Sequence, residues 1–207
     1  MTRKRAMTLA EHDAQLKAEG RYEQVLAIQK NKRDEAARRA ARYQIEMAPV
    51  VQALRDAGVP VDAVRADFIE RSGAYHKALP VLLEHLKKPY PLEVLGTIAQ
   101  ALAVPAARIA WPVLVTEYKK WPPPGKGEGM GPKDGLANAL VATVTQDTMD
   151  ELIALAKDPS HGSNRVLLLR GIRRSRAPQA KQAIEELASD PQLAKEIASW
   201  KRKKVAD

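Results

Sequence analysis

Apolar residues recur along this chain three and four positions apart, the spacing of one helix face. Leu79, Leu82, Leu83 and Leu86 mark a helix over 74–88. Pro89 and Pro91 stop it and restart the chain. Leu92, Leu95, Ile98, Ala99 and Leu102 then point inward from a second helix, 91–102. Pro105 opens a third over 106–120, and 133–145 follows. Further helices are expected over 148–158, 163–174, 180–190 and 192–203, the last opened by Asp190-Pro191 as N-cap and N1. Nearer the start, Thr8 and Glu11 form a capping box, which predicts a helix to about Gly20. A long helical pattern begins at Arg21. It carries Tyr22, Val25, Leu26 and Ile28, then a polar stretch at 31–42, then Ile45, Met47, Val50, Val51 and Leu54. It stops at Gly58-Val-Pro60, and Pro49 is placed to kink or split it. Asp62 is placed to cap a short helix, 63–72, closed by Gly73.

One phrase is written twice. ALPVLLEHLKK (78–88) returns as AWPVLVTEYKK (110–120) with six of eleven residues identical. TMDELIALAKD (148–158) and AKQAIEELASD (180–190) align more weakly. The offsets are 32, 38 and 32 residues, and the longer interval holds the insertion WPPPGKGEGMGPKDG, 121–135. The unit is a helical hairpin of about four copies. One hairpin cannot bury its apolar face alone, whereas stacked neighbours share a core. The alignment makes Leu82, Leu114, Leu152 and Ile184 equivalent core positions and puts Trp111 in the core on the Leu79 position.

Over residues 74–204 the chain resembles the HEAT-like helical repeat family, whose first helices often carry a proline such as Pro80 and Pro112. The third and fourth units lack it, and the Val-Arg start of the family's second helices is reversed at Arg165-Val166. The expected fold is all-α: a short curved solenoid of about four hairpins, 74–207, with an N-terminal helical region, 1–73, as one structural unit. The resemblance implies that the second helix of each pair lines a concave surface.

Composition adds aliphatic helix formers, with 4% aromatic residues and a single Phe. Absence of cysteine excludes disulfides, thiolate catalysis and Cys-type zinc sites. No apolar run approaches the ~18 residues of a membrane span and the basic start lacks the apolar core of a signal peptide, so a cytoplasmic protein is expected. Charge is distributed unevenly: +5 over residues 1–45, 0 over 46–90, −2 over 91–160 and +6 over 161–207, for a total of +9. Basic ends suit nucleic acid, anionic lipid or an acidic protein.

Candidate chemistry is sparse. The insertion is no phosphate cradle, because Met130 occupies the last glycine position of G-x-G-x-x-G and no Ser or Thr follows Lys126 or Lys133. It reads as a loop stiffened by Pro122–Pro124, most mobile over 123–132, with Lys126 the expected first site of proteolysis. His12, His76, His85 and His161 make no i, i+3 or i+4 pair, so no metal ligands are assigned. Adjacent carboxylates such as Glu185-Glu186 point apart, and no catalytic set or cofactor motif emerges. Trp121 ends a helix beside the loop, and Trp200 sits where it can cover the end of the core; stacking on a nucleic-acid base is the alternative for both.

RVLLLRGIRRSR (165–176) stands out. Arg170, Arg173 and Arg174 share one helix face without nearby acids, which favours an anionic partner. The corresponding face carries Glu93, Thr97 and Gln100 in the first repeat and Asp134 and Asn138 in the second, and WKRKK (200–204) extends the basic end. The expected role is a non-enzymatic scaffold that binds a protein through its concave face. The alternative is nucleic-acid binding through the basic termini. The family resemblance also brings in DNA glycosylases of alkylated bases as a third reading, but their acidic residue among aromatic side chains has no counterpart here.

Overall fold

Thr8 caps the first helix as its sequence signature requires. Its Oγ1 accepts from the Glu11 amide at 3.3 Å while Glu11 Oε2 accepts the Thr8 amide at 2.8 Å. Helix α1 (Leu9–Ala18) follows and ends before Gly20, whose φ of 66° only glycine adopts without strain. In this computed structural model, residues 7–125 and 130–203 are described, the side chains of 201–203 excepted. Lys126, and with it part of the expected mobile stretch, lies outside them, as do residues 1–6 and 204 of the basic ends.

Helix α2 (Tyr22–Asp56) runs unbroken through Pro49. The proline removes one helical donor, but it lies on an exposed side where water can reach the carbonyl left over. The chain divides into two compact units, one ending at Ile45 and the other beginning at Glu46, so the boundary falls inside α2. In the first unit Leu16 is buried, the Lys17 ammonium lies 4.7 Å from the Tyr22 ring centroid, and residues 26–42 are exposed throughout.

The second unit starts with Met47, Val50 and Leu54, which bury one face of α2. Val59, Val61 and Val64 are buried in turn and hold the chain between them out of a helix. The short helix α3 (Ala66–Arg71) therefore begins three residues later than expected, with Arg65 at the N-cap position. Asp62 does not cap it; it pairs instead with Arg55 at 2.5 Å. Gly73, at φ 68°, closes α3 as expected.

Ten further segments complete the second unit among the described residues. They are α4 (Tyr75–His85), α5 (Leu92–Ala101), α6 (Trp111–Lys120), α7 (Pro132–Thr143), α8 (Met149–Lys157), α9 (Arg165–Arg174), α10 (Pro178–Leu187) and α11 (Ala194–Lys203), together with 3₁₀ segments at Pro105–Ala110 and Pro159–Asn164 that lead into α6 and α9. The chain is all-helical, with no strand among the described residues. Helix α7 packs on α5, α6 and α9; α9 packs on α8 and α10; α8 also meets α10.

The α5–α7 crossing is the closest. A Cβ on Gly135 would lie 2.7 Å from Ala99 Cβ and 2.9 Å from the Gly96 carbonyl oxygen, so only glycine permits this approach. Leu82, Leu114 and Leu152 are fully buried and Trp111 is in the core, as the internal alignment requires. Ile184 is only half-buried; Ala183 and Leu187 carry the buried face of α10. Leu92 is 58% exposed, contrary to expectation, and Val94 is fully buried. Leu92 is the first residue of α5, and helical side chains lean toward the N-terminus, so it projects past the packed surface.

The repeated proline occupies two settings. Pro80 is inside α4, while Pro112 is at the start of α6 because the preceding residues wind as 3₁₀ helix. No single described helix is long and apolar enough to cross a membrane; α5 and Pro105–Lys120 pass that test only together, bent by 110°.

Candidate functional site

Helix α9 buries Leu168, Leu169 and Ile172 and presents its remaining face to solvent. Gly171 makes this possible, since a Cβ there would lie 2.8 Å from Leu152 Cδ2. Arg170, Arg173 and Arg174 are all exposed on that outer face. Their guanidinium groups do different things. Arg174 donates from Nη2 to the Val141 carbonyl at the end of α7, at 3.0 Å. Arg173 lies 4.6 Å from the Trp200 ring centroid on α11, a cation–π contact. Arg170 is in no ion pair among the described residues. Trp200 in turn donates to Glu196 at 3.0 Å. A third bridge joins neighbouring helices: Asn138 Nδ2 on α7 donates to Gln100 Oε1 on α5 at 2.9 Å.

Arg165, in the same stretch of sequence, plays no part in this surface. It is 1% exposed and its guanidinium is saturated. Nη1 reaches Asp190 Oδ2 at 2.7 Å, Nη2 reaches Gln192 Oε1 at 2.9 Å, and Nε donates to the Gly162 carbonyl at 3.2 Å. That pairing, chiefly through the Arg165 hydrogen bond, holds the Asp190 carboxyl below the ordinary carboxylate range. Asp190 therefore locks the start of α11 to α9, and its Oδ1 also accepts the Gln192 amide at 2.9 Å.

Sequence reasoning missed a buried polar cluster at the base of the insertion. The helix expected over 133–145 runs Pro132–Thr143, so Lys133, Asp134 and Gly135, also counted in the insertion 121–135, belong to α7. Lys133 is 3% exposed. Its ammonium donates to the Trp121 carbonyl at 2.5 Å and to His161 Nδ1 at 3.1 Å, and lies 4.6 Å from the Tyr118 ring centroid. Because an ammonium only donates, His161 accepts at Nδ1 and carries its proton on Nε2, which lies 3.7 Å from Asp158 Oδ2. Beside this, Asn164 Nδ2 donates to Asp134 Oδ1 at 2.8 Å, and Asp134 Oδ2 accepts the Gly131 amide at 2.9 Å.

Burial lowers the proton affinity of Lys133 below that of an ordinary lysine. Burial first, and the Lys133 charge second, lower that of His161. Burial raises that of the Tyr118 phenol. Four buried atoms have no hydrogen-bond partner among the described residues: Tyr118 Oη, Trp121 Nε1, His161 Nε2 and Asn164 Oδ1. The cluster joins α6, α7 and the 3₁₀ segment before α9 through polar contacts inside a mostly apolar core. Its signal in the sequence was spacing: Lys133 precedes Ala137 and Leu140 by four and seven, and His161 precedes Asn164 and Leu168 by three and seven.

Along α5, Glu93, Thr97 and Gln100 line a groove of about 490 Å³ together with Arg65 and Asp67, which pair with each other at 3.0 Å. On α5 the polar side chains of this face are one carboxylate, Glu93, and the neutral Thr97 and Gln100, whereas on α9 they are the guanidinium groups of Arg170, Arg173 and Arg174. The chain matches no family model, no curated protein and no solved structure.

Proposed function

We propose that the second unit is a short curved stack of about four HEAT-like hairpins and that the protein is a non-enzymatic scaffold for a protein partner. In this reading α5, α7, α9 and α11 are the second helices and form the inner, binding layer. The bridges Asn138–Gln100, Arg174–Val141 and Arg173–Trp200 link consecutive members of that layer and support the arrangement.

The observation that carries the partner class is the change of charge across the layer, from Glu93 on α5 through Asn138 on α7 to Arg170 on α9. A nucleic acid offers phosphates of one sign along its whole length and gains nothing at the acidic end. A protein surface can match both ends. The fixed guanidinium groups of Arg173 and Arg174 lower the entropy lost on binding.

A second reading draws on the first unit. Residues 26–42 of α2 are exposed and carry six basic side chains (Lys30, Lys32, Arg33, Arg38, Arg39, Arg42) against Asp34 and Glu35. That run suits nucleic acid.

Salt titration of binding to a random duplex separates the two. The scaffold reading expects weak duplex binding that is unchanged when Arg170, Arg173 and Arg174 all become alanine. If the α2 run binds duplex DNA, affinity falls with salt by about 0.9 log units per phosphate neutralised and the triple variant leaves that slope unchanged; if the layer itself binds duplex, the triple variant flattens the slope by up to ~3 units.

A further inference from the structure

The turn after α7 and the turn after α9 leave a groove of about 610 Å³ between them. Val141, Met149 and Gly171, all buried, supply its apolar wall, and the exposed Arg174 and Arg176 line it as well. Arg170 lies one helical turn from Arg174, so three guanidinium groups follow the end of α9. None of the three is in an ion pair among the described residues. Two carboxylates that follow in sequence are engaged elsewhere: Glu186 with Lys157 at 2.5 Å, and Asp190 with Arg165 at 2.7 Å. Asp147, exposed in the turn after α7, is paired with none of them.

We propose that this groove takes an acidic segment of the protein partner, with carboxylates on Arg174 and Arg176 and one apolar side chain against Val141 and Met149. The proposal rests on the scaffold reading for the partner's being a protein. Three features favour this occupant. Arg174 is already held by the Val141 carbonyl, and its remaining N–H groups can meet a carboxylate without the fork first being ordered. The apolar wall rewards a side chain that a phosphodiester chain lacks. The groove also sits where α7 and α9 end, and the carbonyl ends of helices repel a continuous row of anions. One or two carboxylates placed on the guanidinium groups escape that repulsion; a duplex laid across both helix ends does not.

The test uses the full chain and a fluorescein-labelled dodecapeptide of glutamates with one central leucine, read by anisotropy at moderate salt. Arg176→Ala, which breaks no hydrogen bond among the described residues, should weaken binding about threefold, and Arg174→Ala with Arg176→Ala about tenfold. Replacing the peptide's leucine by serine should weaken it by a similar factor. Arg108→Ala, a change at an exposed cation on the 3₁₀ segment before α6, should leave it unaltered. If Arg176→Ala and the double variant bind like the parent, or if a 20-base-pair duplex displaces the peptide at lower concentration than the unlabelled peptide does, the proposal is overturned. The scaffold reading fails by a different result: an inner layer that crosslinks to no protein while peptide binding still depends on Arg176.

Discussion

Lys133 and His161 meet through one hydrogen bond, Nζ to Nδ1 at 3.1 Å, with both side chains almost completely removed from water. The bond exists only while His161 is neutral. Protonation would set an imidazolium against an ammonium inside the protein, where such repulsion is weakly screened.

Acid should therefore loosen the fold in a defined window. In the folded chain His161 holds its proton less tightly than the ordinary 6.5, through burial and then Lys133. The unfolded chain binds the extra proton first as pH falls, so the contribution is complete above about pH 6.5 and is lost as pH drops toward the lowered folded value. Asp158 pulls the other way, while Lys119 and Arg165 reinforce Lys133. His85 is shifted in the same direction by its own burial and adds to the same window. Thermal melts between pH 7.5 and 5.5 should show a falling Tm. His161→Gln should start lower at pH 7.5 and fall about 2–4 °C less across the range. Equal slopes for parent and variant would contradict the assignment.

The helix crossing at Gly135 gives a steric prediction. Gly135→Ala forces its methyl group into Ala99 and the α5 backbone, and should cost about 1–3 kcal/mol in chemical denaturation. Gly131→Ala, four residues earlier, meets nothing within 4 Å and should be nearly neutral. If the two variants unfold at the same denaturant concentration, the close approach of α5 and α7 is wrong.

Leu114→Ala should destabilise by ~2–5 kcal/mol, since Leu114 is fully buried. Ile184→Ala, at the half-buried equivalent position, should cost clearly less. A larger loss at Ile184 than at Leu114 would reverse the assignment of the core.

These positions also mark how far the sequence could be read. The Thr8–Glu11 box, the buried Leu82, Leu114 and Leu152, and Trp111 in the core all followed from local chemistry or from one repeated phrase. The errors came where tertiary context overrode a local signal. Asp62 resembles an N-cap, but buried valines on either side fix the turn and Arg55 takes its carboxylate. Leu92 fits the helical period but falls where the helix has not yet reached its neighbours. At Ile184 the buried face of α10 has shifted to Ala183 and Leu187. Lys133 and His161 went unrecognised because a polar residue at an apolar position looks like noise until its partner, 28 residues away, is placed beside it. The arginines were legible as one face; that one anchors on Val141 and another on Trp200 was not, since both partners come from other helices.

Arg165 offers a contrast with the exposed arginines. Arg165→Ala strands Asp190 and removes the tie between α9 and the start of α11, and should destabilise by about 3 kcal/mol or more. Arg170→Ala should leave stability within about 0.5 kcal/mol of the parent, because the side chain is exposed and in no ion pair among the described residues. Denaturant midpoints for the two variants check this directly, and comparable losses would show that Arg170 is structural rather than available to a partner.

The central claim, that α5, α7 and α9 present one protein-binding layer, is tested most directly by photo-crosslinking in cells. Benzoylphenylalanine in place of Gln100 or of Arg170 should crosslink to the same protein, while the same residue in place of Lys77 on α4 or Glu185 on α10 should not. Crosslinks of equal yield from all four positions, or crosslinks to nucleic acid alone from Gln100 and Arg170, would contradict it.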